Sequence, residues 1–444
     1  MHHLAPTAAF FLAAAVGSPA EAPPARTEAL AREVTALFEK GDFDGVLARF
    51  SPQMGVAMPE EMFRDIWNSL HQQLGALNGL SAPVVRTEKG VDGAWVRATF
   101  EKSAVFFRMT FDAKGRIAGF RIFPGPPPGE WNPAPPAEPG KVWEREVTVG
   151  NGEWGLPGTL TVPAEGSGPF PALVLVHGTG PRDRDETIGA TKVFRDLASH
   201  LAVRGVVVLR YEKRTNVHGA RMKDLAITVR EEVVDDALAA AALLRAQPEA
   251  DPRRVALLGH GFGGMLAPRI AADDPALAGL VLLGGNSRPP DERAPEQVDA
   301  IVSAGSATRE QAAAMREAMA RVRALDPATP PAAGTLAAGP AAAYWLDLAS
   351  YDPAATVKAL GIPVLVLQGG RDSEATAKDF EAWKAALAAA PDAAFRLFPK
   401  LDHRFVEGVG PSTPAEYGRP AHVAPEVVEA VAAFLRDLPP RAGP

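Results

Sequence analysis

The chain of 444 residues contains no cysteine. That excludes a thiol nucleophile, a disulfide framework, a thiolate metal site and a cysteine-linked lipid, and it leaves the compartment open. Beyond the first two dozen residues no apolar run is long enough to span a bilayer. A net charge of -7 supplies no basic surface, so neither nucleic acid nor an anionic membrane is an expected partner. No group of His, Asp and Glu has metal-ligand spacing, and no metal or cofactor is expected. The most consequential absence sits at one position. In Val255-Ala256-Leu257-Leu258-Gly259-His260-Gly261-Phe262-Gly263-Gly264 an apolar strand runs into a Gly-rich turn, and a helix-forming segment follows. That is the setting of a nucleophile elbow, whose pattern is G-x-S-x-G. The frame Gly259-x-x-x-Gly263 is present, but its middle position is Gly261, which has no side chain.

What the chain does have divides it into parts. Leu4 to Val16 is short, apolar and rich in Ala and Phe, and Ser18-Pro19-Ala20 and Ala20-Glu21-Ala22 follow it. This is a signal-peptide pattern over residues 1–22, cleaved near Ala20 or Ala22, and it implies a secreted or periplasmic protein. Its first residues hold His2 and His3 but no Lys or Arg, which leaves an uncleaved anchor as the alternative. Residues 27–124 read as a small α+β domain. A first helical stretch puts Leu30, Val34, Leu37 and Phe38 on one face, and Pro59 to Leu80 reads as a second helix with Met62, Ile66, Leu70 and Leu74 on its stripe. Strands are expected at Pro83–Arg86, Ala94–Phe100, Val105–Phe111 and Ile117–Phe123. Pro124 to Gly140 is Pro/Gly-rich and marks a linker at 125–140.

From residue 141 to 438 short apolar strands alternate with helical pattern. Glu144–Val149 and Leu156–Val162 read as a hairpin. Pro171–Val176, Val206–Tyr211, Val255–Leu258, Leu280–Leu283, Pro363–Gln368 and Ala394–Phe398 read as strands of a mostly parallel sheet. Phe194–Arg204 and Val229–Ala246 read as helices between them. Residues 286–345 have no strand signal and are expected to form a helical cap.

Four pieces fall at the carboxyl ends of strands, where open α/β sheets place their sites. They are the elbow at Gly261, Gln368-Gly369-Gly370-Arg371-Asp372, Leu401-Asp402-His403-Arg404-Phe405, and His177-Gly178-Thr179-Gly180. A serine needs a base, the base needs a carboxylate to fix its tautomer, and the oxyanion needs pre-aimed donors. His403 is the candidate base, Asp372 the acid, and the backbone N–H groups of the Gly178–Thr179 loop and of Phe262 the oxyanion donors. His260, Tyr211 and Arg214 are candidates for the pocket wall, each with a packing or solvated reading beside it. Arg182-Asp183-Arg184-Asp185 reads as a salt-bridged loop.

These motifs, with Arg210-Tyr211-Glu212-Lys213-Arg214, resemble the α/β-hydrolase superfamily from about residue 140 to 437. Within it the chain is similar to secreted bacterial esterases related to dienelactone hydrolases and serine aminopeptidases, which often carry a small N-terminal domain of unknown function. The resemblance implies an α/β-hydrolase fold with a cap and a small-molecule ester or other carbonyl substrate. It assigns the acid to Asp372, the base to His403, the oxyanion loop to Gly178 and Thr179, and the nucleophile to Gly261, where the match fails. Three readings stay open. The site works by water-mediated or lyase- and cyclase-type chemistry; or it is a non-catalytic binder; or it is an ordinary serine esterase or peptidase whose nucleophile has been mutated.

Overall fold

The computed structural model describes residues 24–88, 91–102, 104–123, 140–222, 225, 227–303, 309–326, 328 and 342–441. The signal-peptide stretch, His2, His3 and nearly all of the linker lie outside them.

The N-terminal unit has helices at Pro24–Glu39, Phe43–Leu47, Pro52–Ala57 and Glu60–Leu74. Strands Leu77–Leu80, Val84–Glu88, Val91–Phe100, Ala104–Phe111 and Ile117–Phe123 form one antiparallel sheet. Two details depart from the sequence reading. The helix expected to reach Leu80 stops at Leu74, because Gly75 turns the chain at a φ of 85°. Leu77–Leu80 then pairs with Val91–Phe100 as a strand. The buried face of that helix is Phe63, Trp67, Leu70 and Leu74, whereas Met62 and Ile66 are only partly buried. Both sets have helical spacing, and the aromatic pair has more apolar area to remove from water. Phe38 packs on Trp67, Phe107 and Phe120 at ring-centroid distances of 5.3–5.8 Å.

The second unit is built on an eight-stranded sheet. Its strands are β1 (Val142–Val149), β2 (Leu156–Pro163), β3 (Phe170–Val176), β4 (Val207–Tyr211), β5 (Ala250–His260), β6 (Leu280–Leu283), β7 (Val364–Gly369) and β8 (Ala393–Phe398). The spatial order is β8-β7-β6-β5-β3-β4-β2-β1. From β8 to β4 all neighbours are parallel, and β2 and β1 join antiparallel. The central strands are apolar and buried without alternation, as helices on both faces require. Val193–Val203 and Pro425–Asp437 cover one face; Asp235–Arg245, Phe262–Asp273 and Ala377–Ala386 cover the other. The long helix expected from Val229 opens with a π turn at Arg230–Val234 before continuing as Asp235–Arg245.

After β3 the chain adds β4 on one side and then β5 on the other, so the connections diverge at the β3–β5 pair. That divergence opens the crevice in which α/β sheets bind ligands. The described part of the 286–345 insertion contains helices Pro290–Ser303 and Arg309–Arg323, and Ala342–Ala349 begins near its end.

Candidate active site

The elbow has the backbone of a nucleophile turn. Strand β5 ends at His260, helix Phe262–Asp273 starts two residues later, and Gly261 between them has φ 52° and ψ -110°. Its N–H donates to the Leu283 carbonyl at 3.0 Å, and its own carbonyl accepts from Met265 N–H at 3.1 Å. Residues with a Cβ rarely adopt such a conformation outside functional turns. The flanking glycines are steric requirements. A Cβ on Gly259 would run into the Gly263 carbonyl, and one on Gly263 into the Val176 and His177 carbonyls. A Cβ on Gly261 meets His403, 3.1 Å from Nε2 and 3.2 Å from Cε1. The vacant side-chain position therefore points at the imidazole.

The imidazole is held from behind. His403 Nδ1 lies 2.8 Å from Asp372 Oδ2. Asp372 Oδ1 accepts the N–H groups of Glu374 and Ala375 at 2.8 and 2.9 Å, so both carboxylate oxygens are engaged. Gly284 lets the pair approach the sheet, since a Cβ there would come within 3.0 Å of Asp372 Oδ2. The loop carrying His403 is pinned by its neighbours. Asp402 accepts from Arg404 N–H, Val406 N–H and the Arg404 guanidinium, which lies over the Tyr417 ring at 4.0 Å. Burial works against the charged imidazole, but the Asp372 carboxylate, and after it that of Glu374, overcome it and raise the His403 pKa to about 10.

The loop after β3 has its backbone clamped by two buried side chains. Gly178 N–H donates to Glu186 Oε1 at 2.6 Å, and Lys213 Nζ donates to the Gly178 carbonyl at 3.0 Å. The Gly178 N–H, expected among the oxyanion donors, is therefore already taken. In the trans peptide that follows, the carbonyl and the Thr179 N–H point opposite ways, so Lys213 fixes the direction of that N–H. The N–H groups of Thr179 and of Phe262, at the helix start, have no acceptor among the described residues. Gly178 Cα lies 3.9 Å from where a Gly261 Cβ would be. Glu186 is fully buried, has a positive φ of 45°, and faces His260 Nδ1 at 3.1 Å. Burial opposes its ionisation, yet the neighbouring His260 brings it down to about 2.

The three pocket candidates have structural partners instead. His260 is fully buried beneath the site, its ring 4.5 Å from that of His403 and its Nε2 2.9 Å from the His403 carbonyl. Tyr211 is buried edge-on against His177. Arg214 pairs with Asp236. The charged loop is tied down: Arg184 contacts Glu146 and Glu212, and Asp185 contacts Lys192 and Arg210.

Sequence reasoning missed Glu186, Glu374 and the burial of Lys213. Lys213 Nζ reaches Glu232 Oε1 at 2.9 Å, and Tyr344 Oη donates to the other oxygen of Glu232 at 2.6 Å. Glu186, Lys213, Glu232 and Glu374 are charged residues in loops or at a π turn, and no spacing rule separates them from solvated ones. No group of three or more possible metal-ligating side chains occurs among the described residues.

Comparison with known proteins gives two domain-level matches. A model of the alpha/beta hydrolase family matches residues 173–419, and one for a protein family of unknown function matches residues 31–120. The chain is 35% identical over 397 residues to Esterase EstD of Thermotoga maritima, covering 89% of this chain and 92% of that protein. Solved structures similar to it include Est1E from Butyrivibrio proteoclasticus, at 16% identity, a TM-score of 0.44 and coverage of 66% and 98% of the two chains. A putative dienelactone hydrolase from Klebsiella pneumoniae is similar at 18% identity, a TM-score of 0.39 and coverage of 67% and 99%.

Proposed function

The chain belongs to the alpha/beta hydrolase family, and from that premise we propose that it is an esterase-type enzyme for a small-molecule carbonyl ester. It works without an acyl-serine intermediate, because Gly261 has no hydroxyl to acylate. The observation that carries this reading is the Asp372–His403 pair, 2.8 Å apart, fully supported and aimed at the Gly261 slot. A site reduced to a binding cleft has no chemical need for that pair.

The roles follow from the geometry. Thr179 and Phe262 N–H groups serve as the oxyanion donors. Asp372 orients His403 and holds its positive charge. With its pKa near 10 the imidazole is a cation at neutral pH, so it acts first as an acid, giving its Nε2 proton to the leaving alkoxide. Water takes the place of the serine as nucleophile. A second reading has its own support. The elbow backbone, and a Cβ position only 3.1 Å from His403 Nε2, fit a serine esterase whose nucleophile was replaced.

One paired assay tests both. The chain, Gly261→Ser and His403→Ala are offered short- and medium-chain p-nitrophenyl esters between pH 7 and 9.5. Turnover by the unaltered chain that disappears with His403→Ala supports the water-mediated reading. Turnover confined to Gly261→Ser replaces it with the second.

Export belongs to the same proposal: the pattern at residues 1–22 directs the chain out of the cytoplasm. N-terminal sequencing of protein made in its own host would show a start near residue 21 or 23; a start at Met1 in the cytosolic fraction would sink the idea.

A further inference from the structure

In the loop between β7 and helix Ala377–Ala386 a second carboxylate reaches His403. Glu374 Oε2 lies 3.6 Å from His403 Nε2, on the side of the ring opposite Asp372. Nε2 is also the atom that the Gly261 side-chain position faces. The Glu374 backbone is firmly held. Its N–H donates to Asp372 Oδ1, and its carbonyl accepts from Asn286 Nδ2 at 2.9 Å and, at 3.4 Å, from Arg293 Nη1 and Gln297 Nε2 on the helix Pro290–Ser303. The side chain is different: it is about a third exposed, and neither oxygen accepts a hydrogen bond from a described residue. A fixed backbone with a carboxylate that faces the reacting nitrogen and accepts no hydrogen bond is the arrangement of a general base, which needs reach and a free lone pair.

We infer that Glu374 is a catalytic residue, the group that takes the proton from the attacking water in place of a serine-based nucleophile. This rests on the water-mediated esterase reading above and goes beyond it in naming the base. Two polar atoms 3.6 Å apart can share one water, each about 2.8 Å from it. The substrate carbonyl carbon then approaches from the Gly261 side, where no Cβ intervenes.

The step balances as follows. The water oxygen bonds to the ester carbonyl carbon, one water proton passes to the Glu374 carboxylate, and the carbonyl π pair moves onto oxygen beside the Thr179 and Phe262 N–H groups. When the tetrahedral adduct collapses, the carbon–alkoxide bond breaks and His403 Nε2 gives its proton to the alkoxide. Glu374 returns its proton to His403, and one water has become part of an acid and an alcohol. A serine at 261 would make Glu374 unnecessary, because the hydroxyl would meet Nε2 directly and the neutral imidazole would be its base. In that background Glu374 works against the reaction by favouring the imidazolium.

Four full-length forms decide the matter with p-nitrophenyl butyrate: the unaltered chain, Glu374→Gln, Gly261→Ser, and Gly261→Ser with Glu374→Gln. Glu374→Gln is expected to lower kcat of the unaltered chain by about 10²-fold or more, the usual contribution of a general base. It should not lower kcat of the serine form. Thermal melts of all four exclude misfolding as the cause, and Glu374→Asp should recover part of the loss. If the unaltered chain turns over and Glu374→Gln leaves it unchanged, the inference fails while the esterase reading stands. An equal loss in both backgrounds also overturns it, since Glu374 would then act on His403 or the loop in general. No turnover by the unaltered chain, with turnover by the serine form, removes both.

Discussion

The elbow and the two loops that carry Asp372 and His403 face each other across His403 Nε2, and they have kept different things. The elbow keeps its backbone: a positive φ at Gly261, the bond to Leu283, and glycines at 259 and 263 where a Cβ would strike main-chain carbonyls. It has no reactive side chain. The facing loops keep their side chains and the hydrogen bonds behind them, from the Glu374 and Ala375 N–H groups through Asp372 to His403. Between this elbow and the G-x-S-x-G pattern the difference at the central position is one hydroxymethyl group. Scaffold and proton-handling groups are separable in this fold, because the first depends on main-chain packing and the second on a few side-chain hydrogen bonds.

The largest expected effect comes from supplying that group. Gly261→Ser should raise turnover of p-nitrophenyl esters by about 10³-fold or more, the scale on which a triad depends on its nucleophile. The added Cβ would sit 3.1 Å from His403 Nε2, so the ring must yield by a few tenths of an ångström. With alkyl esters, whose alkoxide leaving group needs a proton, the pH profiles should run in opposite directions. The serine form needs neutral His403, so its activity climbs as pH rises toward 10, while the unaltered chain needs the imidazolium and loses activity over the same range. Parallel profiles would mean that the two forms use His403 in the same way.

Next in size is the support behind the imidazole. Asp372→Asn keeps the shape but removes the charge that stabilises the cation, and in either form a loss of about 10²–10⁴-fold in kcat is expected. Steady-state kinetics with a native circular dichroism spectrum at the assay temperature would assign that loss to the site. A change under threefold would show that the 2.8 Å contact has no part in turnover.

Below that comes the scaffold itself. Gly259→Ala should cost at least about 3 kcal/mol or prevent folding, because backbone rather than a movable side chain opposes the new Cβ. Gly219→Ala is the control: it lies in the helix Arg214–Met222 with open space around it and should be neutral or stabilising by about 0.5–1 kcal/mol. Equal urea midpoints for the two variants would overturn the account of the elbow.

This contrast also explains what was legible in the sequence. The strand–turn–helix at Val255–Gly264, the parallel sheet and the positions of Asp372 and His403 could be read because apolar runs and Gly-rich turns record main-chain geometry locally. The Leu77–Leu80 strand reads as the end of a helix because leucine fits either state, and only pairing with Val91–Phe100 decides between them. Glu186, Lys213 and Glu374 were not legible at all. Their burial or reach depends on partners from 8 to 35 residues away, as in Glu186 with Gly178 and Lys213 with Gly178. A charged residue in a loop gives no local sign of such a partner.

The smallest expected effect is on stability, and it isolates His403. Burial disfavours the imidazolium while Asp372 and Glu374 more than compensate, so the folded-state pKa of about 10 lies above the unfolded value of about 6.5. The folded chain binds this proton more tightly, and the resulting stabilisation is complete below pH 6.5 and is lost as pH rises toward 10. Tyr211, Tyr344, Tyr351 and Tyr417, pushed up by burial, are common to the unaltered chain and His403→Gln and leave their difference unaffected. Three further shifted groups act at lower pH. Buried His177, pushed down to about 4, stabilises above pH 6.5 and loses that contribution as pH falls through 4. Asp196, raised by burial to about 6, has its favoured protonated form only below that pH. Glu186, held at about 2, contributes stability above pH 4.5 that is lost as pH falls toward 2. Between pH 7 and 9.5 the melting temperature of the unaltered chain should therefore fall by a few degrees more than that of His403→Gln, which has no proton to lose there. Equal slopes in the two forms would show that the charge on His403 contributes nothing to the folded state, and the acid role given to it would fall as well.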